Sequence, residues 1–146
     1  MTGNDISRLA RRFYERLAAG DSTGAVELVG AGYVGHGLGA GGGPASVKKD
    51  IDTWLAAVPD LRIDVHDTVA EGDRVALRMT LRGTQSGRFA GIPASGKPFE
   101  IGATDVVRVA DGAIVEAWTL CDLASMFSQL GALPSTAPAA PEAARS

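Results

Sequence analysis

Asp105 is the residue whose surroundings hold the most chemistry. It stands in FEIGATDVVRVADGAIVEAWTLCD, Phe99 to Asp122, where runs rich in Val, Ile and Ala flank Asp111-Gly112, a short-range hairpin signature. Two registers are open. A two-residue turn at Asp111-Gly112 would set Asp105 opposite Trp118. A three-residue loop, Ala110 to Gly112, with the glycine left-handed and a bulge after it, would set Asp105 opposite Ala117. Side-chain alternation favours the second. It gathers Ile101, Ala103, Asp105, Val107, Val109, Val115, Ala117, Thr119 and Cys121 on one face, while Glu100, Thr104, Arg108 and Glu116 share the other.

The first face is apolar except for Asp105 and Thr119. A carboxylate there must find partners, hold a proton or line a cavity, because burying it bare costs several kcal/mol. With a raised pKa it could carry a proton to or from a carbon next to a carbonyl. The structural alternative is a satisfied carboxylate, bonded to a backbone N–H or to Tyr14. Thr119 could hydrogen-bond a substrate but cannot act as an acid at neutral pH. His36 follows Tyr33 in a glycine-rich stretch beside a helix start, and could donate to a substrate oxygen or pair with Asp105. The alternative there is a surface histidine.

Tyr14 lies at the edge of a helical apolar stripe, from which its hydroxyl could reach a cavity. The candidate substrate-binding set is Tyr14, Tyr33, Trp54, Ala117 and Thr119, with Asp105 and His36 as the catalytic candidates. Trp54 reads as a core residue more often than as a ligand platform, and Trp118, on the opposite face of the hairpin, is expected in a core or a subunit interface. His66 alternates with Arg62 and Asp64 and is expected in solvent. Cys121 has no nearby base to activate it and reads as a small apolar filler. Gly37 to Gly43 lacks the Lys-Ser/Thr ending and preceding strand of a phosphate loop.

The elements that must position these residues follow from periodicity. Asp5 to Ala19 reads as an amphipathic helix with Ile6, Leu9, Ala10, Phe13 and Leu17 on one stripe, capped by Asn4 or Thr2 and ended by Gly20. Asp21-Ser22-Thr23 offers a cap for a short second helix to about Val29. Gly30 to Gly43 is a loop by composition. Pro44 opens a third helix whose stripe is Val47, Ile51, Trp54, Leu55 and Val58. The period then changes to two: Leu61 to Val69 and Val75 to Leu81 form strands joined at Glu71-Gly72-Asp73. A Gly/Ser/Pro-rich loop, Gly83 to Pro98, leads into the hairpin, and Asp122 caps a last helix, Leu123 to Leu130. Residues 133–146 are Pro/Ala-rich without apolar period, an expected disordered tail after a single domain over 1–132. Helices first and strands after predict α+β, with a curved antiparallel sheet of four or so strands wrapping the helices into a cone. The mouth of such a cone can hold a small apolar ligand.

Composition narrows the function classes. The chain has 146 residues and a formal charge of −3, which gives no basic footprint for nucleic acid. It has no 18-residue apolar run and no signal-peptide core, so no membrane partner and a cytoplasmic location are expected. One cysteine excludes an internal disulfide, and two histidines give little basis for a transition-metal site.

In order along the chain, RRFYERLAAGD, YVGHG, PDLRIDV, AEGDRVALRMTLRGTQSGRFAGIPASGKPFE, TDVVRVADGAIVEAW and SQLG resemble the SnoaL-like polyketide cyclase family, from about Arg11 to Gly131. The resemblance implies the nuclear-transport-factor-like α+β cone (a cystatin-like α+β barrel, shared with ketosteroid isomerase) and a homo-oligomer, dimer or tetramer. It implies cofactor-independent ring closure of a small apolar carbonyl substrate by acid/base chemistry. In the ring-closing members an aspartate stands where this chain has Thr119, and a histidine where it has Asp105. Across the wider family an aspartate at the Asp105 position is common, as is a histidine like His36. Hydroxylases of polyketide tailoring share the fold, so a hydroxylase, an isomerase and a non-catalytic binding module are the alternatives.

Overall fold

The computed structural model describes residues 1–132; the expected tail over 133–146 lies outside the described residues. Helix α1 (Gly3–Ala18) begins at Thr2 rather than Asn4, because Thr2 and Asp5 form a reciprocal cap. The Asp5 amide donates to the Thr2 hydroxyl at 3.1 Å and the Thr2 amide to the Asp5 carboxylate at 2.9 Å. Its stripe buries Ile6, Leu9, Ala10, Phe13 and Tyr14. Helix α2 (Ser22–Val26) is capped by Asp21, and α3 (Gly43–Ala57) carries Pro44 in its first turn.

Six strands form one curved, unclosed sheet: β1 (Val29–Gly37), β2 (Gly41–Gly42), β3 (Arg62–Glu71), β4 (Arg74–Thr84), β5 (Pro98–Ala110) and β6 (Ala113–Cys121). Their order is β2-β1-β6-β5-β4-β3. Helix α4 (Leu123–Gln129) follows, capped by Asp122 through the Ser125 amide at 3.1 Å. Helix α1 packs on β3 and β4 and α3 on β1 and β2, and the inner face of the sheet closes the core against them. This is the expected α+β cone, with two strands more than periodicity counted. Among the described residues no helix is long and apolar enough to cross a membrane.

The extra strands come from the glycine-rich stretch. Composition assigns Gly30 to Gly43 to a loop, yet most of it is β1 and β2, and β1 runs parallel to β6 in an otherwise antiparallel sheet. The glycines serve close backbone approach as well as turning. A Cβ at Gly35 would run into the Gly39 carbonyl oxygen, and one at Gly37, where φ is +80°, into the Thr119 carbonyl oxygen.

The β5–β6 register matches neither expected pairing. Ala110 pairs with Ala113, so the turn is Asp111-Gly112, with φ of 52° and 75°, as a tight hairpin turn demands. Val109 then pairs with Ile114 but Arg108 with Glu116, which makes Val115 the extra residue of a bulge. Beyond the bulge Asp105 faces Thr119. The bulge buries Ile114 and leaves Val115 half-buried, the reverse of simple alternation, while Ala117, Thr119 and Cys121 keep the inward side. A second bulge at His66 turns Thr68 inward and leaves Val69 69% exposed.

Candidate active site

Between α1, α3 and the inner face of the sheet lies a cavity of about 250 Å³ with mostly apolar walls. The connection from Gln85 to Lys97 folds over one side of it. Gln85 is fully buried, donates to the Ile92 carbonyl and accepts from the Ser95 amide, each at 3.1 Å. That knot presents Phe89, whose ring packs 4.6 Å from Trp54 on the cavity wall.

Asp105 is 5% exposed and forms part of the cavity lining. The Tyr14 hydroxyl donates a hydrogen bond to its Oδ2, whereas the buried Oδ1 has no hydrogen-bond partner among the described residues. Burial pushes the carboxyl up from 3.8 to about 6, against the Tyr14 bond and the nearby Leu120 amide and Thr119 hydroxyl, which favour its charge. Neither of the latter two completes a hydrogen bond to Oδ1. Tyr14 is held well above the usual phenol range, by burial first and by the Asp105 charge second, so the shared proton stays on the tyrosine.

Tyr33 reaches the cavity from β1 and is 8% exposed, and its hydroxyl has no hydrogen-bond partner among the described residues. Burial, then the charges of Asp105 and Asp50, push it up to about 12. Trp54, Ala117 and Thr119 complete the set that the sequence singled out and the fold brings together. Cys121 also faces in; burial pushes its thiol up to about 12, which keeps it protonated and inert.

His36 is elsewhere. In a strand, residues three apart point to opposite faces, so the same β1 that turns Tyr33 inward turns His36 outward. Its Nε2 lies 2.7 Å from a Glu116 carboxylate oxygen, and its ring stacks on Trp118 at 5.2 Å. Arg74 covers the Trp118 ring and Arg108 reaches the other Glu116 oxygen at 3.0 Å. This outer-face network does not touch the cavity. His36 therefore cannot pair with Asp105, because the sheet separates them.

Asp50 and Phe89 are among the lining residues that the sequence reading did not single out. Asp50 sits on α3 three residues after Val47 and four before Trp54, so the helical stripe that placed those two also places it. Phe89 comes from a loop with no periodicity to read. Among the described residues no three His, Cys, Asp or Glu side chains converge as a metal site would require.

The model of the SnoaL-like polyketide cyclase family matches residues 8–130. The chain belongs to this family. Among solved structures, TsrD from Streptomyces laurentii is 31% identical, with 91% of this chain and 99% of that one covered at a TM-score of 0.84. IdmH from Streptomyces antibioticus, a candidate polyketide cyclase, is 34% identical over 86% and 98%, with a TM-score of 0.74. AclR from Streptomyces galilaeus, a candidate hydroxylase, is 27% identical over 91% and 100%, with a TM-score of 0.82. No curated protein matches the chain significantly. Membership of the SnoaL-like family implies a small-molecule substrate, and Asp105 lies in the wall of the cavity enclosed by helices and sheet.

Proposed function

We propose that this SnoaL-like protein is an acid/base enzyme that closes a ring in a small polyketide-like carbonyl compound, with Asp105 moving the proton. The observation that carries the reading is a carboxylate buried in the wall of an apolar cavity, anchored to Tyr14 through Oδ2 and with no hydrogen-bond partner at Oδ1 among the described residues. A carboxyl raised to about 6 is largely ionised at neutral pH, yet basic enough to take a proton from a carbon flanked by two carbonyls.

In this reading Oδ1 removes that proton and the electron pair moves onto a carbonyl oxygen as an enolate. The unpartnered Tyr33 hydroxyl is the donor available to that oxygen; Tyr14 is already committed to Asp105. The enolate carbon attacks a further, remote carbonyl of the same molecule, a carbon–carbon bond forms, and the new alkoxide takes the proton back from Asp105. The walls hold the chain folded for that attack. A dry apolar cavity of ~150 Å³ accepts one benzene ring, so about 250 Å³ suits two fused rings or their open precursor.

The test is product mass from an aromatic compound bearing a 1,3-dicarbonyl side chain and a further carbonyl on the adjacent ring position. An isobaric product, or one lighter by a water, is expected from the wild type and not from Asp105→Asn. Thr119, standing where ring-closing relatives have an aspartate, and the likeness to AclR favour a second reading, hydroxylation, in which molecular oxygen supplies the added atom and a two-electron donor from solution reduces the other oxygen atom to water. A product heavier by one oxygen atom would select it.

A further inference from the structure

The cavity has a second carboxylate that the proton transfer does not use. Asp50 projects from α3 onto the cavity wall and is half-buried, with no hydrogen bond or ion pair among the described residues. Its helix neighbour Asp52 is by contrast tied to Lys48 at 2.7 Å. Burial raises the Asp50 carboxyl, and only the adjacent Lys49 opposes this.

Two further observations point to a ligand beside it. The hydroxyl of Tyr33, a residue 8% exposed, lies on the cavity wall without a partner among the described residues, and feels the charges of both Asp105 and Asp50. Among the described residues the lining contains two carboxylates and no lysine, arginine or histidine. A negatively charged guest would find repulsion and no counter-charge in a medium that screens poorly.

We infer that Asp50 is a specificity residue: it accepts a hydrogen bond from an alcohol, phenol or protonated amine on the guest and turns away carboxylates and phosphates. The inference rests on the reading above only in taking this cavity as the substrate site. It assigns the guest two ends, a carbonyl end at Asp105 and a donor-bearing end at Asp50.

The test is calorimetric binding of four naphthalene probes to the full chain: 2-naphthylmethylamine, 2-naphthalenemethanol, 2-naphthoate and 2-methylnaphthalene. The wild type is expected to bind the amine at least about tenfold more tightly than the carboxylate. Asp50→Asn, nearly the same shape, should lose most of that preference and still bind the alcohol. Asp50→Leu should bind the alcohol no better than 2-methylnaphthalene, whose unchanged affinity shows that the variants are folded. Equal binding of 2-naphthoate and the amine by the wild type would overturn the inference, as would an unchanged preference in Asp50→Asn. If the preference survives in Asp50→Asn and vanishes in Asp105→Asn, charge selection belongs to Asp105, and the proton-transfer reading stands without Asp50. Because binding is measured without turnover, a failed ring closure leaves this result intact.

Discussion

Tyr14 holds one oxygen of Asp105 and leaves the other bare, joining α1 to β5 across 91 residues of chain. The held oxygen fixes the orientation of the carboxylate on the cavity wall; the other accepts no hydrogen bond among the described residues. Four consequences can be measured.

Removing the Tyr14 hydroxyl takes away the strongest influence favouring the charged carboxylate. In Tyr14→Phe the Asp105 carboxyl should therefore rise above about 6, and the acid limb of the turnover–pH profile should move up with it. The lost hydrogen bond should also lower stability by about 1 kcal/mol. An unmoved limb would mean that Asp105 does not set the profile.

The raised carboxyl has a cost for folding. Asp105 goes from 3.8 to about 6 on folding, so the native state binds this proton more tightly than the unfolded chain does. Its stabilising contribution is full below about pH 4 and is lost as pH rises through about 6, a difference of about 3 kcal/mol. Asp105→Asn keeps an acceptor for Tyr14 without the charge. Thermal melting should show this variant more stable than the wild type at pH 8, with the gap closing towards pH 4; a less stable variant at pH 8 would contradict the burial argument.

Tyr33→Phe separates catalysis from folding. Its hydroxyl has no protein partner among the described residues, so the melting temperature should hardly move, within about 0.5 kcal/mol of wild-type stability. Turnover should fall by ~10²-fold if the hydroxyl steadies the enolate oxygen. Full activity would leave Tyr33 as a wall residue.

His36→Ala should leave turnover within about twofold, because His36 pairs with Glu116 on the other side of the sheet and such half-exposed pairs contribute only ~1 kcal/mol or less. A hundredfold loss would place the histidine in the chemistry after all.

Asp105 was legible as an acid on a greasy face because two-residue alternation survives any even change of register. Its cross-strand partner was not, since the bulge at Val115 leaves no mark in a run of small apolar residues. Tyr33 and His36 were set together because glycine composition hid β1; a strand puts them on opposite faces. That strand exists because β6 offers a parallel edge and the glycines let the backbones close in, a tertiary cause that local propensity does not carry. Asp50 was readable from the helical stripe of Val47, Ile51 and Trp54, but a lone carboxylate within one turn of Lys48 and Lys49 looks like solvated surface until the cavity beside it is seen.

The most direct test of Asp105 as the proton carrier needs no native substrate. 2-Tetralone is a neutral bicyclic ketone with acidic protons next to its carbonyl, and their exchange with deuterated water can be followed by proton NMR. The wild type should speed this exchange well above buffer, and Asp105→Asn should lose at least ~10²-fold of that acceleration while binding the ketone as tightly. Equal exchange in the two proteins, or no acceleration by the saturated wild type, would contradict the account.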